Sequence, residues 1–340
     1  MLKQRKSIVG LDIGSHCIKA IELARDKYDH VITGYAQIEV SHEAARQDAI
    51  AELMREARFR SKRVATAVSG KNVIFRYIQM ADMSDDKLVQ AVRLDADKYI
   101  PFDVEEVELD VQKICKVEDE KGKAEAKCLL TAAKKVVVAD QAQLLIDLGL
   151  QPISIGVDGF ALGNAWELAE EINPGLQDPG RTVALVDVGA TKSSINILHD
   201  GVSCFAREVP MGGQDLTNAI TRRLGIESSQ AEDMKRDPGD QAGIVEEAMG
   251  QVVEDLGNEI NLSFDFFENQ VEGEVEEVFL SGGSVLLPFL EESLEKIFEK
   301  RTRVWNPIEG LKVKSDNVDI DALNQSAPQL AVAVGLAASV

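Results

Sequence analysis

The chain is poor in the residues that build cross-links and metal centres. Its four cysteines, Cys17, Cys115, Cys128 and Cys204, form no C-x-x-C pair. Their hydrophobic or strand-like neighbours predict buried thiols in a reducing cytoplasm, which argues against a disulfide framework. Four histidines, at 16, 30, 42 and 199, share no ligand spacing with one another or with the cysteines, which argues against zinc. Positive charge is also scarce: 37 Lys and Arg stand against 58 Asp and Glu, a formal charge of −21. That balance repels phosphate backbones and anionic lipid, so nucleic acid is not an expected partner. Long hydrophobic runs are missing as well. The C-terminal "LAVAVGLAASV" is shorter than the ~20 residues a bilayer crossing needs and reads as a packed terminal helix. The opening "MLKQRKSIVG" has the basic start of an export signal, but Asp12 and Gly14 break the apolar run behind it.

What is present is a globular composition, 340 residues and 45% hydrophobic, long enough for two or three domains. "GLDIGSHCIKAIEL" (10–23) reads as a hairpin whose bend carries Asp12, Gly14, Ser15 and Lys19. "LVDVGATKSSINIL" (185–198) repeats its form, with Asp187-Val-Gly-Ala matching Asp12-Ile-Gly-Ser. The apolar parity of the second strand differs by one residue between the copies, which predicts turns of slightly different length. Two such hairpins imply two related half-molecules whose bends face each other across a cleft.

Between them, strand-like "HVITGYAQIEV", helical "QDAIAELMREARFRS" and strand-like "RVATAVSG" continue the first half. Residues 72–150 then read as a small α+β unit. Its first helix is expected to open at Ser84, with Asp85 and Asp86 in the first turn, and to end at Pro101. "NPGLQDPG" (173–180) is the expected linker. The second half alternates strands with helices, including the long "IVEEAMGQVVEDLGNEINLSFDFFENQ", which favours an α/β class.

A D-x-G-S bend lets backbone N–H groups approach a phosphate, to which a hydroxyl and a lysine add donors. An Asp beside phosphate needs a divalent cation or its water shell between them, and Mg²⁺ is commonly held by one or two carboxylates plus phosphate oxygens. "LSGGSVLLPFLEESL" delivers Gly282 and Gly283 to a helix N-terminal region, with Pro288 in an early turn. Gly212-Gly213 precedes the helix "DLTNAITRRL". Glu232 and Lys235, one helical turn apart, fit either hydrogen bonding to a ribose or base or an i,i+3 pair on a solvated face.

This order of loops resembles the actin, heat-shock chaperone and sugar kinase superfamily over nearly the whole chain. "VFLSGGSVLLPFLEESLEKIF" and "MGGQDLTNAI" are similar to the actin branch. "AVRLDADKYIPFDVEEVELDVQ" (91–112) and "NPIEGLKV" (306–313) resemble the PilM family, the cytoplasmic actin-like component of type IV pilus assembly. The resemblance implies an α/β, actin-like ATPase fold of two lobes around a nucleotide cleft. Residues 1–71 and 151–178, joined by 326–340, would form the first lobe, and 180–325 the second. Residues 72–150 would be an inserted α+β domain like that of FtsA.

The resemblance places Asp12, Gly14, Ser15 and Lys19 on phosphates and metal, and Asp187, Gly189, Ala190 and Thr191 on a second phosphate loop. Asp12 and Asp187 would hold Mg²⁺, directly or through water. Gly212 and Gly213 would approach phosphate, Glu232 and Lys235 hold ribose or base, and Gly282, Gly283 and Ser284 complete an adenosine pocket. Asp158 lies where chaperone relatives position water, and also fits a helix N-cap. Actin carries a second acidic residue where this chain has Ala190, so ATP binding is expected more than turnover.

The implied function is an ATP- and Mg²⁺-binding adaptor of the pilus inner-membrane assembly complex, in the machinery of twitching motility. Its partner would be the cytoplasmic N-terminal segment of PilN, alongside other pilus components and copies of itself. It would be cytoplasmic and reach the inner membrane through that partner. The competing readings are an FtsA-like division protein, which needs an amphipathic membrane-binding tail that "QLAVAVGLAASV" does not supply, and an active ATPase or phosphotransferase, which needs a general base that no residue declares.

Overall fold

Apolar strands alternating with helices build three sheets in a computed structural model that describes residues 6–25, 29–40, 45–118, 124–270, 273–314 and 318–340. β1 (Lys6–Ile13), β2 (Cys17–Arg25) and β3 (His30–Glu39) form an antiparallel meander. α1 (Arg46–Glu56) then crosses over to β4 (Arg63–Val68), which lies parallel to β1. The chain leaves this sheet through β5 (Val73–Ala81), α2 (Asp85–Leu94), β6 (Val107–Glu118) and β7 (Ala124–Lys134), which make a separate antiparallel sheet in the order β5-β7-β6. α3 (Lys135–Asp147) returns it to β8 (Gln151–Val157), parallel to β4, and β8 runs straight into α4 (Asp158–Ile172).

The second half repeats this plan. β9 (Thr182–Val188), β10 (Ser193–His199) and β11 (Val202–Val209) form an antiparallel meander. α5 (Gly213–Leu224), α6 (Ser228–Arg236) and the long α7 (Ala242–Gln270) lead to β12 (Glu277–Ser281), parallel to β9. After α8 (Leu290–Phe298), β13 (Arg301–Val304) pairs parallel to β12. The strand order β3-β2-β1-β4-β8 is thus matched, orientation for orientation, by β11-β10-β9-β12-β13. The repeat seen in two hairpins extends to both sheets. β14 (Lys312–Val313) then joins the first sheet beside β3, followed by α9 (Ile320–Gln325) and α10 (Ala331–Ala338).

α4 and α10 are packed between the two large sheets. Ala161, Ala165 and Trp166 of α4 and Ala331, Val334 and Ala337 of α10 share one core with Ile8 and Ile21 of the first sheet and Val183, Leu185 and Phe279 of the second. Close approach is possible because the contact points are small: a β-carbon on Gly10 would collide with the Ala333 carbonyl, and one on Gly335 with the Ala161 carbonyl. The expected terminal helix is therefore the buried α10. The outer face of the first sheet is covered through Ile50 and Leu53 of α1 and Leu145 of α3, that of the second by α5, α7 and α8. The three-stranded sheet buries Leu88 and Val92 of α2 in a core of its own. It touches the second half where the Tyr77 hydroxyl meets the Ser203 hydroxyl at 2.8 Å and Lys127 donates to the Cys204 carbonyl at 3.4 Å.

Several local readings need correction. Ser84 is the N-cap of α2, but its side chain makes no capping hydrogen bond. That helix ends at Leu94, well before Pro101, with a 3-10 turn at 96–98 between them. Gly282-Gly283 enters a 3-10 turn, and Pro288 precedes α8 instead of lying inside it. Cys115 is exposed, whereas Cys128 is buried and all four thiols are free. Residues 119–123 and His42 lie outside the described residues.

Candidate functional site

Each hairpin places its Asp one residue before the bend. In the first, Asp12 faces Lys19 across the β1–β2 ladder, and the ammonium donates to the carboxylate at 2.7 Å. Pairing of Ile13 with Ile18 and of Val188 with Ser193 leaves Gly14–Cys17 and Gly189–Lys192 in the bends, so the two turns have the same length. Sequence parity misleads here because β10 is buried on both faces, which removes the alternation that reports register. The glycines also match. A β-carbon on Gly14 would press on the Cys17 carbonyl and one on Gly189 on the Lys192 carbonyl.

The bends meet. Ser15 Oγ lies 3.1 Å from Thr191 Oγ1, which brings the two loops together from opposite halves of the molecule. Asp187 accepts a hydrogen bond from Ser281 Oγ at 3.0 Å, and burial pushes its carboxyl up to about 6, against the opposing charge of Lys19. Burial disfavours the charge on Lys19, but the Asp12 carboxylate outweighs it and Asp187 adds to the effect, so its pKa is raised. Lys19 is thus committed to Asp12, and among the described residues Asp187 forms no ion pair.

The glycine loops close on the second bend. The Gly189 carbonyl accepts from Gly213 N–H at 2.9 Å and from Ser284 Oγ at 3.1 Å, and the Ala190 carbonyl accepts from Gln214 N–H at 2.7 Å. A side chain at Gly212 would strike the Gly189 and Ala190 carbonyls, and one at Gly213 the Ser284 hydroxyl. Gly282, at φ +96°, lies against the Val188 backbone. Gly283 follows it into the 3-10 turn. Glu232 and Lys235 do form an i,i+3 pair, but not on a solvated face: Lys235 is 7% exposed and also donates to Thr217 Oγ1 at 2.8 Å and the Gly213 carbonyl at 3.1 Å. Burial pushes the Glu232 carboxyl up, but hydrogen bonds from Lys235 and Thr217 outweigh it and hold it below the usual range.

Asp158 is the first residue of α4, and the N-cap position belongs to Val157. Its carboxylate accepts from Lys192, which also donates to Glu208 at 2.7 Å. Burial raises the Asp158 pKa, with Lys192 opposing. Lys192 was not among the expected site residues, although its place inside the "GATK" bend was a legible signal. Arg236 was also missed. From α6 it donates to Glu39 at 2.6 Å and lies 2.7 Å from His16 Nε2, both in the first half, while its Nε holds Glu232 at 3.0 Å. Among the described residues no group of three or more His, Cys, Asp or Glu could hold a metal without other ligands.

Comparison with known proteins gives the family and the fold. A family model described as type IV pilus assembly protein PilM matches residues 10–339. A solved structure described as a PilM-PilN type IV pilus biogenesis complex superposes with a TM-score of 0.85 at 28% identity, covering 98% of each chain. The ethanolamine utilization protein EutJ from Carboxydothermus hydrogenoformans matches at TM-score 0.57 and 14% identity over 98% of this chain and 89% of its own. MreB 5 of Spiroplasma citri, described as bound to AMPPNP, matches at 0.51 and 11% over 98% and 95%. The last two share the fold, which is the actin-like ATPase fold.

Proposed function

The chain belongs to the type IV pilus assembly protein PilM family, and from that premise we propose that it is a nucleotide-dependent adaptor that holds ATP and Mg²⁺ between its bends and binds PilN. The observation that carries the nucleotide part is the contact of Ser15 with Thr191. It sets two Asp-x-Gly bends on one small volume, with glycine loops behind the second.

The residues fit the ligand. Gly14, Gly189, Gly212, Gly213 and Gly282 have no room for a β-carbon, which keeps side chains out of the bends and loops, and among the described residues buried Asp187 has no ion-pair partner, Lys19 being spent on Asp12. When bound, Mg²⁺ supplies charge neutralisation between carboxylate and phosphate oxygens. Asp12 and Asp187 would hold it. Gly14, Ser15 and Lys19 would take phosphate from one side and Gly189, Ala190 and Thr191 from the other, while Gly212 and Gly213 keep the floor of the site free of side chains. Glu232 and Lys235 would meet the ribose or base, and Gly282, Gly283 and Ser284 would close the adenosine end.

A general base needs a free acceptor within reach of its proton. Asp158 is occupied by Lys192, and Ala190 supplies no carboxylate, so the proposed activity is binding with little turnover. Among the described residues no helix is long and apolar enough to cross a membrane. α10 is buried between the sheets, so it acts as a core element and not as a membrane-binding helix.

For the partner, the support is the match to a PilM-PilN complex. The proposed contact is the cytoplasmic N-terminal segment of PilN, docked between the first lobe (1–71, 151–178 and 326–340) and the inserted unit within 72–150. Through it the protein would sit at the inner membrane, with other pilus components and self-association as further contacts of the adaptor. Anisotropy of a labelled ATP analogue, then of a labelled PilN N-terminal peptide, tests both halves. Saturable, Mg²⁺-dependent binding that Asp12→Ala/Asp187→Ala abolishes is expected. Absence of saturable nucleotide binding in Mg²⁺ overturns the nucleotide half, and absence of peptide binding the adaptor half.

A further inference from the structure

Asn196 stands in the middle of β10, a strand buried on both faces, and is itself 0% exposed between Ile195 and Ile197. An amide in such a place costs free energy unless its polar atoms are paired. Both ends of this one are. Its Nδ2 donates to the Gly159 carbonyl in the first turn of α4 at 2.9 Å, which turns Oδ1 toward Ser203 of β11, whose hydroxyl donates to it at 2.7 Å. A hydroxyl has a single proton, so in the 2.8 Å contact between Tyr77 and Ser203 the tyrosine is the donor. Burial raises the Tyr77 pKa, Ser203 opposing, which keeps the phenol protonated at neutral pH.

From Gly159 the bonds continue to the second bend. Gly159 N–H donates to Asp158 Oδ1 at 2.7 Å, and the other Asp158 oxygen accepts from Lys192. Lys192 closes the bend, since its carbonyl accepts from Gly189 N–H at 3.0 Å. An unbroken run of hydrogen bonds therefore leads from β5 of the three-stranded unit, through β11, β10 and α4, to the bend that carries Thr191. A second contact lies beside it. Phe75 shares a face of β5 with Tyr77 and meets Phe160 of α4 edge-on, with 5.0 Å between ring centroids.

We propose that this run links the second bend to the three-stranded unit, with Asn196 as the positioning residue at its centre and Lys192 as the group that switches. Lys192 is shared between Asp158 and Glu208, 2.7 Å from the latter, so one ammonium serves two carboxylates. An anion held at Thr191 would draw it from both. Asp158 then loses its cation, and the first turn of α4 shifts with it, carrying Gly159 against Asn196 and Phe160 against Phe75. Because the three-stranded unit forms one side of the proposed PilN groove, nucleotide and peptide would each alter the affinity of the other by the same factor. That trigger rests on the nucleotide reading, whereas the link between bend and unit does not.

The test uses the full-length chain labelled with ¹³C-tyrosine and follows the Tyr77 ¹³Cζ resonance, assigned by its loss in Tyr77→Phe. Tyr99, in the same unit but bonded to Met80 Sδ, is the internal reference. Lys192→Met should shift Tyr77 and leave Tyr99 in place. The shift should vanish when the run is cut by Asn196→Leu or, should that variant lose its folded spectrum, by Ser203→Ala. A shift that survives the cut, or none in the uncut protein, overturns the proposal. AMPPNP with Mg²⁺ should move Tyr77 in the same direction as Lys192→Met, and Tyr77→Phe should change AMPPNP affinity at least about threefold. AMPPNP that binds without moving Tyr77 also overturns the proposal. Absence of AMPPNP binding instead removes the nucleotide reading, and the Lys192→Met comparison in cut and uncut proteins then decides the link.

Discussion

At the scale of single residues, the site holds charges that the ligand-free fold does not satisfy. Asp187 is raised by burial from 3.8 to about 6, so the folded state binds its proton more tightly than the unfolded chain. That penalty is absent below about pH 4, grows as pH rises through about 6, and is full above it. Asp187→Asn should therefore stabilise the metal-free protein at pH 7.5 by an order of ~2–3 kcal/mol, with no gain at pH 3.5, as read from urea midpoints. The same substitution should remove the added stability that Mg²⁺ and ATP give. Arg236, bridging Glu39, His16 and Glu232, ties α6 to the first half at the first bend, where His16 lies. Exposed ion pairs contribute little to stability, so Arg236→Ala should leave the melting temperature within a degree or two. It should instead speed release of a labelled ATP analogue about three- to tenfold in a chase experiment.

At the scale of elements, legibility depended on whether burial leaves a pattern. β1, β2 and β9, and the Gly-Gly loops, were readable because an Asp or a glycine pair punctuates an apolar run. The register of β10 was not, since both its faces are covered. Helix ends were also misplaced: α2 stops at Leu94 although its breaker is Pro101, because 3-10 geometry fills the interval. The pairing of Lys192 with Asp158 and the reach of Arg236 come from tertiary placement, which no local spacing encodes. Gly282 shows the opposite case, where one residue governs an element. Its φ of +96° and its contact with the Val188 backbone leave no space for a methyl. Gly282→Ala should cost about 3 kcal/mol in a urea titration and abolish nucleotide binding, from left-handed strain plus overpacking.

At the scale of the whole molecule, the matching sheet orders and the two equal bends describe one plan used twice, with the three-stranded unit added to the first copy. The copies touch at their bends, which makes that contact a place to restrain them. With Cys17→Ser and Cys115→Ser removing competing thiols, Ser15→Cys/Thr191→Cys should form a disulfide, since the native oxygens are 3.1 Å apart. The oxidised form should exclude a labelled ATP analogue, and reductant should restore uptake. The burial of α10 against Gly10 on one side and Ala161 on the other carries a consequence for biogenesis. The 331–338 segment completes the seam between two sheets built far earlier in translation, so until it emerges each sheet has only α4 as inner cover. In that interval the apolar surfaces left open are the natural substrate for chaperones.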